Sequence, residues 1–156
     1  MLKEKLSKSN LTSSFNLIIA KLKIVYQIIN KKQTKQKRNN MKFNFVYKNR
    51  KFGLDVEVCD NVLSRARGLM FKKNSAPLLF IFKNAKRRAI HSFFCLPFIA
   101  IWFNAGRIVD VKFINPWKFS IKPKEKFDKL LEIPSNDLTF KEFLDDIERF
   151  KKKKDL

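Results

Sequence analysis

The chain is poor in the residues that most often carry chemistry. Its 156 residues include three Gly, two Cys and one His. Three glycines are too few for a glycine-rich phosphate loop or a collagen-like repeat. Two cysteines cannot build a disulfide framework. One histidine excludes a multi-histidine metal cage. No run approaches the roughly 20 uninterrupted apolar residues of a plain membrane span. Acidic residues are also scarce: 14 Asp and Glu stand against 35 Lys and Arg, giving a formal net charge of +21. The length, with 45% apolar residues, suits one domain with one core and a tail.

A charge of this size points to an anionic partner, either nucleic acid or an acidic membrane surface. Composition offers a plainer source. Twenty-seven of the 35 basic residues are Lys, and Phe reaches 17. Lys, Phe, Asn and Ile all use A/T-rich codons, so nucleotide bias raises Lys without any ligand. Arg is the better marker of phosphate recognition, and it clusters only at Arg65/Arg67 and Arg87/Arg88.

Residues 1–40 form a basic extension with nine Lys and one Arg against one Glu. Within it, Phe15, Ile18, Leu22, Val25 and Ile29 recur at helical spacing, so residues 11–30 are expected to form an amphipathic helix. Ten Leu, Ile, Phe and Val residues in that window contribute about −3 to −6 kcal/mol at mid-bilayer, and each central lysine costs roughly +2.5 to +3.5 kcal/mol. Those lysines, Lys21 and Lys23, bring the sum near zero. An interfacial helix fits better than a span or a signal peptide. A third reading puts the native start at Met41, with the preceding residues an over-extended frame or a dispensable leader.

From Met41 the pattern changes. Residues 50–59 alternate strictly, with Phe52, Leu54, Val56 and Val58 on one face, which predicts a half-buried strand paired to residues 42–47. Asp60 is a candidate N-cap for a short helix over 61–67, with Val62, Leu63 and Ala66 facing inward and Gly68 ending it. Strands are expected at 78–82, 90–95, 98–103, 107–114 and 129–133, with a charged turn over 83–88. Thr139 and Glu142 form a capping-box signature. Phe140, Phe143, Leu144, Ile147 and Phe150 then line one face of a C-terminal helix. The expected fold is mainly β: a compact, barrel-like mixed sheet with one short helix, a C-terminal helix over 136–156 and the N-terminal helical extension.

Several blocks resemble a known family. Residues 56–60 (VEVCD) and 65–71 (RARGLMF) are similar to the strand and turn of the domain-of-unknown-function 192 family. The likeness continues through 78–82 (LLFIF), 90–94 (IHSFF), 99–103, 106–111 (GRIVDV), 115–117 (NPW) and 130–134 (LLEIP), in the archaeal-type variant. It covers residues 41–135. The resemblance implies a small β-rich domain and no particular activity. It also implies an Asp where this chain has Ala100, Ala where it has Cys59, and often Met where it has Cys95.

Cys59, Cys95 and His91 invite a thiol-nucleophile or metal reading, because His91 is the only imidazole base. Neither CxxC nor HxxxH spacing is present, and buried Cys behaves as a small hydrophobe. The expectation is therefore a non-enzymatic binding or accessory domain with no cofactor, metal or catalytic residue. Its candidate ligand-binding residues are Arg67, His91, Ser92 and Trp117, around a shallow pocket. It is expected to be cytoplasmic, or peripheral at a membrane through residues 11–30. The rival readings are a nucleic-acid binder using dispersed Lys and Arg, and a metal- or Cys-dependent enzyme.

Overall fold

The alternating segments at the start of the body pair as a hairpin. In the computed structural model, which describes residues 40–152, β1 (Asn40–Tyr47) runs antiparallel to β2 (Arg50–Cys59). Lys48 and Asn49 make the turn, both with positive φ. That is the primed geometry whose twist suits a tight hairpin. The expectations for residues 11–30 lie outside the described residues.

Four further strands follow: β3 (Leu78–Lys86), β4 (Phe98–Asn104), β5 (Arg107–Ile114) and β6 (Phe127–Pro134). The sheet order is β1-β2-β3-β6-β4-β5. Only β2 and β3 pair in parallel. Their connection carries the short helix α1 (Val62–Arg67), as a parallel crossover requires. The sheet curls into a half-barrel. Phe43 and Phe45 of β1 reach Phe103 of β4 at ring distances of 5.5 and 5.6 Å, although β2, β3 and β6 lie between those strands.

Two apolar clusters occupy the two sides of this sheet. The first joins Phe45, Phe52, Leu54 and Val56 to Leu79, Ile99, Ile101, Leu131 and Ile133. The C-terminal helix α2 (Leu138–Lys152) covers it with Phe140 and Phe143. Phe143 meets Tyr47, Phe52 and Phe45 at 4.7, 4.9 and 6.0 Å, and burying one such side chain contributes about 1.5–3 kcal/mol. The second cluster joins Cys59, Leu78, Phe80, Phe98, Ala100, Trp102, Phe127 and Leu130. Leu69 past α1, and Ile90, Cys95 and Ile121 from the loops, pack against it. β4 is buried on both faces from Phe98 to Phe103, so it reads as a continuous apolar run.

Several local expectations need correction. The N-cap of α1 is Asn61, not Asp60: its side chain accepts from Ser64 N at 2.8 Å, and Ser64 Oγ accepts from Asn61 N. Val62 is 78% exposed and Ala66 is exposed too, because Leu69 beyond the helix makes the inward contact. Val58 is only half-buried while Cys59 is buried. There β2 leaves β1 for parallel pairing with β3, and the sheet is covered on both sides. Residues 83–86 extend β3 instead of forming a turn. Residues 90–95 are no strand. Ile90 alone makes an isolated bridge, to Ile121, and the chain then turns. β6 begins at Phe127, two residues before the expected start. Asp137, not Thr139, caps α2: its Oδ1 accepts from Thr139 N at 2.9 Å.

Candidate functional site

A cavity of about 210 Å³ opens between the end of α1 and the second apolar cluster. Its apolar walls are Phe80 and Phe82 of β3, Phe127 and Leu130 of β6, Leu69, and Ile90. Its polar lining comes from Arg65, Arg67, Arg88, His91 and Glu132.

Gly68 shapes one wall. It ends α1 with φ 47° and ψ −131°, and its N–H donates to Ser64 O. An L side chain seldom adopts that conformation. Arg65 fixes the helix against the sheet. Its guanidinium donates to Asp60 O and Ile81 O, each at 2.7 Å, and to Cys59 O at 3.4 Å. Arg88 donates to Asn84 O. Both guanidinium groups also lie against the Phe82 ring, at 5.3 and 4.7 Å. Their hydrogen bonds are thus spent mainly on backbone carbonyls, while their positive charge remains at the rim.

Glu132 is the unusual group. It is 6% exposed and lines the cavity, and its carboxyl makes no hydrogen bond among the described residues. Burial pushes its pKa up to about 8, against the pull of the Lys72 ammonium. Lys72 itself pairs with Glu57 at 3.5 Å. Glu132 is therefore mostly protonated at neutral pH, a donor and an acceptor at once.

The four residues singled out from sequence separate. Arg67 and His91 line the cavity. The His91 pKa is lowered by partial desolvation, so its ring is neutral at pH 7. Ser92 is wholly buried and ties two loops together: its Oγ donates to Asn115 O at 2.7 Å and accepts from Lys118 N at 2.8 Å. Trp117 is 49% exposed and lies outside the cavity lining, against Phe93 and Phe94. Sequence reasoning missed Glu132, whose signal was a single carboxylate inside the apolar run LLEIP.

The two thiols are unsuited to nucleophilic work. Burial pushes both Cys59 and Cys95 up to about 12, whereas a reactive thiol needs a lowered value. Cys95 Sγ donates to Phe93 O at 3.3 Å. Among the described residues, no three His, Cys, Asp or Glu side chains gather where they could hold a metal ion. Among the same residues, no helix is long and apolar enough to cross a membrane.

Comparison with known proteins adds a frame. The DUF192 family model, described as "Uncharacterized ACR", matches residues 45–141. A UPF0127 protein of Pyrococcus horikoshii is 38% identical over 84 residues, covering 51% of this chain and 72% of the relative. One from Pyrococcus furiosus is 30% identical over 93 residues, covering 57% and 79%. Two crystal structures share the fold. A Sinorhizobium meliloti protein, named as a proposed transcription regulator, has a TM-score of 0.58 at 18% identity, covering 64% of this chain and 84% of its own. A Novosphingobium aromaticivorans protein of unknown function has a TM-score of 0.56 at 12% identity, covering 62% and 74%.

Proposed function

This chain belongs to the DUF192 family of uncharacterised proteins, and we propose that its body is a non-enzymatic binding domain that takes a small organic ligand into the cavity beneath α1. The observation that carries this reading is Glu132, a buried carboxyl that makes no hydrogen bond among the described residues while facing an open cavity. Burying a polar group without a partner is unfavourable, and a ligand donor at Glu132 relieves that cost.

The walls narrow the chemistry. A cavity near 210 Å³ lies between a benzene-sized void of about 150 Å³ and the lower end, about 300 Å³, of ordinary ligand pockets. It suits a molecule of one ring or a short branched chain. Phe80, Phe127 and Leu130 favour an apolar middle. Arg67, Arg88 and His91 favour an acceptor or anionic end at the rim. An amine or amide donor fits at Glu132. The raised thiol pKa values support binding over covalent catalysis. Residues 11–30, with lysines at their centre, would hold such a domain at a membrane surface.

The test is a titration followed by NMR with benzylamine, phenylacetate and 4-(aminomethyl)phenylacetate as probes. The last, with its amine and carboxylate at opposite ends of one ring, is expected to bind best and to move the signals of Glu132, Phe80 and Leu130. Glu132→Leu should abolish those shifts while leaving the remaining spectrum in place. No response at these three residues to any of the probes would end the reading.

A further inference from the structure

Outside the cavity lies a cluster of rings that ligand binding does not use. Phe71 stacks on Phe94 at 4.4 Å, and Phe94 meets Trp117 edge-on at 4.7 Å. Phe93 meets Phe119 at 4.6 Å and Trp117 at 6.2 Å. Trp117 is 49% exposed, Phe119 70% and Leu96 38%. Scattered exposed apolar residues are ordinary, but a contiguous exposed group marks an interaction surface.

The backbone holds these rings in place. Phe71, Phe94 and Trp117 all have positive φ, at 57°, 56° and 63°, a region that bulky side chains seldom enter. Three separate loops supply them, fastened by hydrogen bonds from Phe71 N to Phe94 O and from Trp117 N to Ser92 O. The buried Ser92 hydroxyl adds two more. The result is a built platform.

Charge identifies what the platform meets. The loops at 68–77, 87–97 and 115–126 carry eight Lys and Arg residues against the single acidic Glu125. Helix α2, on the opposite face of the sheet, carries four basic and four acidic residues. Excess positive charge thus accompanies the exposed rings. Six of the eight cations are Lys, which act as point charges and not as planar phosphate forks. The rings at Phe93/Phe119 and Phe94/Trp117 pack edge to face, at 81° and 68°.

We propose that the Phe93, Phe94, Trp117 and Phe119 platform docks on an anionic lipid surface. The rings enter the headgroup layer, and Lys73 and Lys118 meet the lipid phosphates beside them. These four rings lie outside the cavity lining.

Tryptophan fluorescence of the full chain tests it. Trp102 is wholly buried, so Trp117 is the environment-sensitive reporter. Vesicles of phosphatidylcholine with phosphatidylglycerol should shift Trp117 emission to the blue, and brominated acyl chains should quench it. Pure phosphatidylcholine should do neither. Phe119→Asp, at a site 70% exposed, should leave the NMR spectrum of the core unchanged and weaken the quenching of Trp117 by about tenfold. Lys73→Glu with Lys118→Glu should weaken the quenching similarly and make what remains less sensitive to salt. The proposal is overturned if anionic vesicles do not bind the protein, or if they pellet it without quenching Trp117. It is equally overturned if an oligonucleotide produces the emission change and lipid does not, or if the change grows with protein concentration in lipid-free buffer.

Discussion

Gly68 stands directly over Glu132: a β-carbon at Gly68 would lie 3.6 Å from Glu132 Oε2 and 3.5 Å from Phe80 Cζ. Those distances are ordinary contacts, so space alone does not demand glycine. The backbone does, with φ at +47° and ψ at −131°. Gly68→Ala is therefore expected to destabilise the fold by about 1–3 kcal/mol through strain. Urea denaturation measures the loss. An unchanged midpoint would mean that the turn relaxes freely into another conformation.

Glu132 makes stability depend on pH with a definite sign. Its folded-state value of about 8 lies above the ordinary 4.5. Between those limits the folded chain holds a proton that the unfolded chain has released. The contribution of Glu132 to stability is thus fully present below 4.5 and declines as pH rises to about 8. Glu132→Gln removes this dependence. Melting temperatures measured across the window should show the variant gaining steadily on the wild type as pH increases. Parallel curves would place the Glu132 titration elsewhere.

Much of this architecture was written locally. The Phe52, Leu54, Val56 alternation and the Lys48-Asn49 and Ala105-Gly106 turns specify two hairpins that the structure contains. The Phe140, Phe143, Leu144 and Ile147 stripe specifies the face that α2 buries. The central strands were harder to read. Phe98–Phe103 and Leu130–Ile133 are buried on both faces, with Glu132 the single polar side chain in the second segment, so they carry no parity from which register can be read. The β3-β6-β4 order joins segments far apart in sequence, and only tertiary packing fixes that order. Arg67 and His91 stood out because they lie in blocks with a family likeness, and both line the cavity. Ser92 stood out for the same reason, yet its burial serves two loops. Glu132 is the one carboxylate in an apolar run, a signal that the sequence shares with any edge-facing strand residue and that gains meaning only once its burial beside the cavity is visible.

Ala100 offers a second way to probe the same carboxyl. It pairs with Glu132 across β4 and β6 and is itself wholly buried. Directly opposed residues place their β-carbons about 4.5–5.5 Å apart. Ala100→Asp would set two carboxyl groups side by side in a site that already resists ionisation. The pair should titrate in two coupled steps, with the upper one above the present value. Ala100→Asn supplies the same bulk without the charge. The stability gap between these two variants should widen as pH rises, and a constant gap would reduce the effect to overpacking.

The thiols give a simple chemical prediction. With Cys59 and Cys95 both pushed up to about 12 by burial, the thiolate population at neutral pH is very small. Iodoacetamide should modify the native protein far more slowly than a free cysteine and modify the denatured chain at the ordinary rate. Rapid alkylation of Cys95 in the native state would contradict the burial assigned to it.

Ser92 separates a ligand role from a scaffold role. Its hydroxyl donates to Asn115 O and accepts from Lys118 N, and it sits in the interior. Ser92→Ala leaves a carbonyl and an amide short of a partner, which costs about 1–3 kcal/mol when such groups stay buried. The strain of Trp117, at φ 63°, is then held by the backbone bonds between residues 92 and 117–118 and by the ring contacts with Phe93 and Phe94. Hydrogen exchange at the Lys118 amide should accelerate, and Trp117 emission should move to the red as the loop opens. Probe binding in the cavity should persist, because Ser92 lines no part of it. Loss of probe binding with normal Lys118 protection would instead make Ser92 a ligand contact.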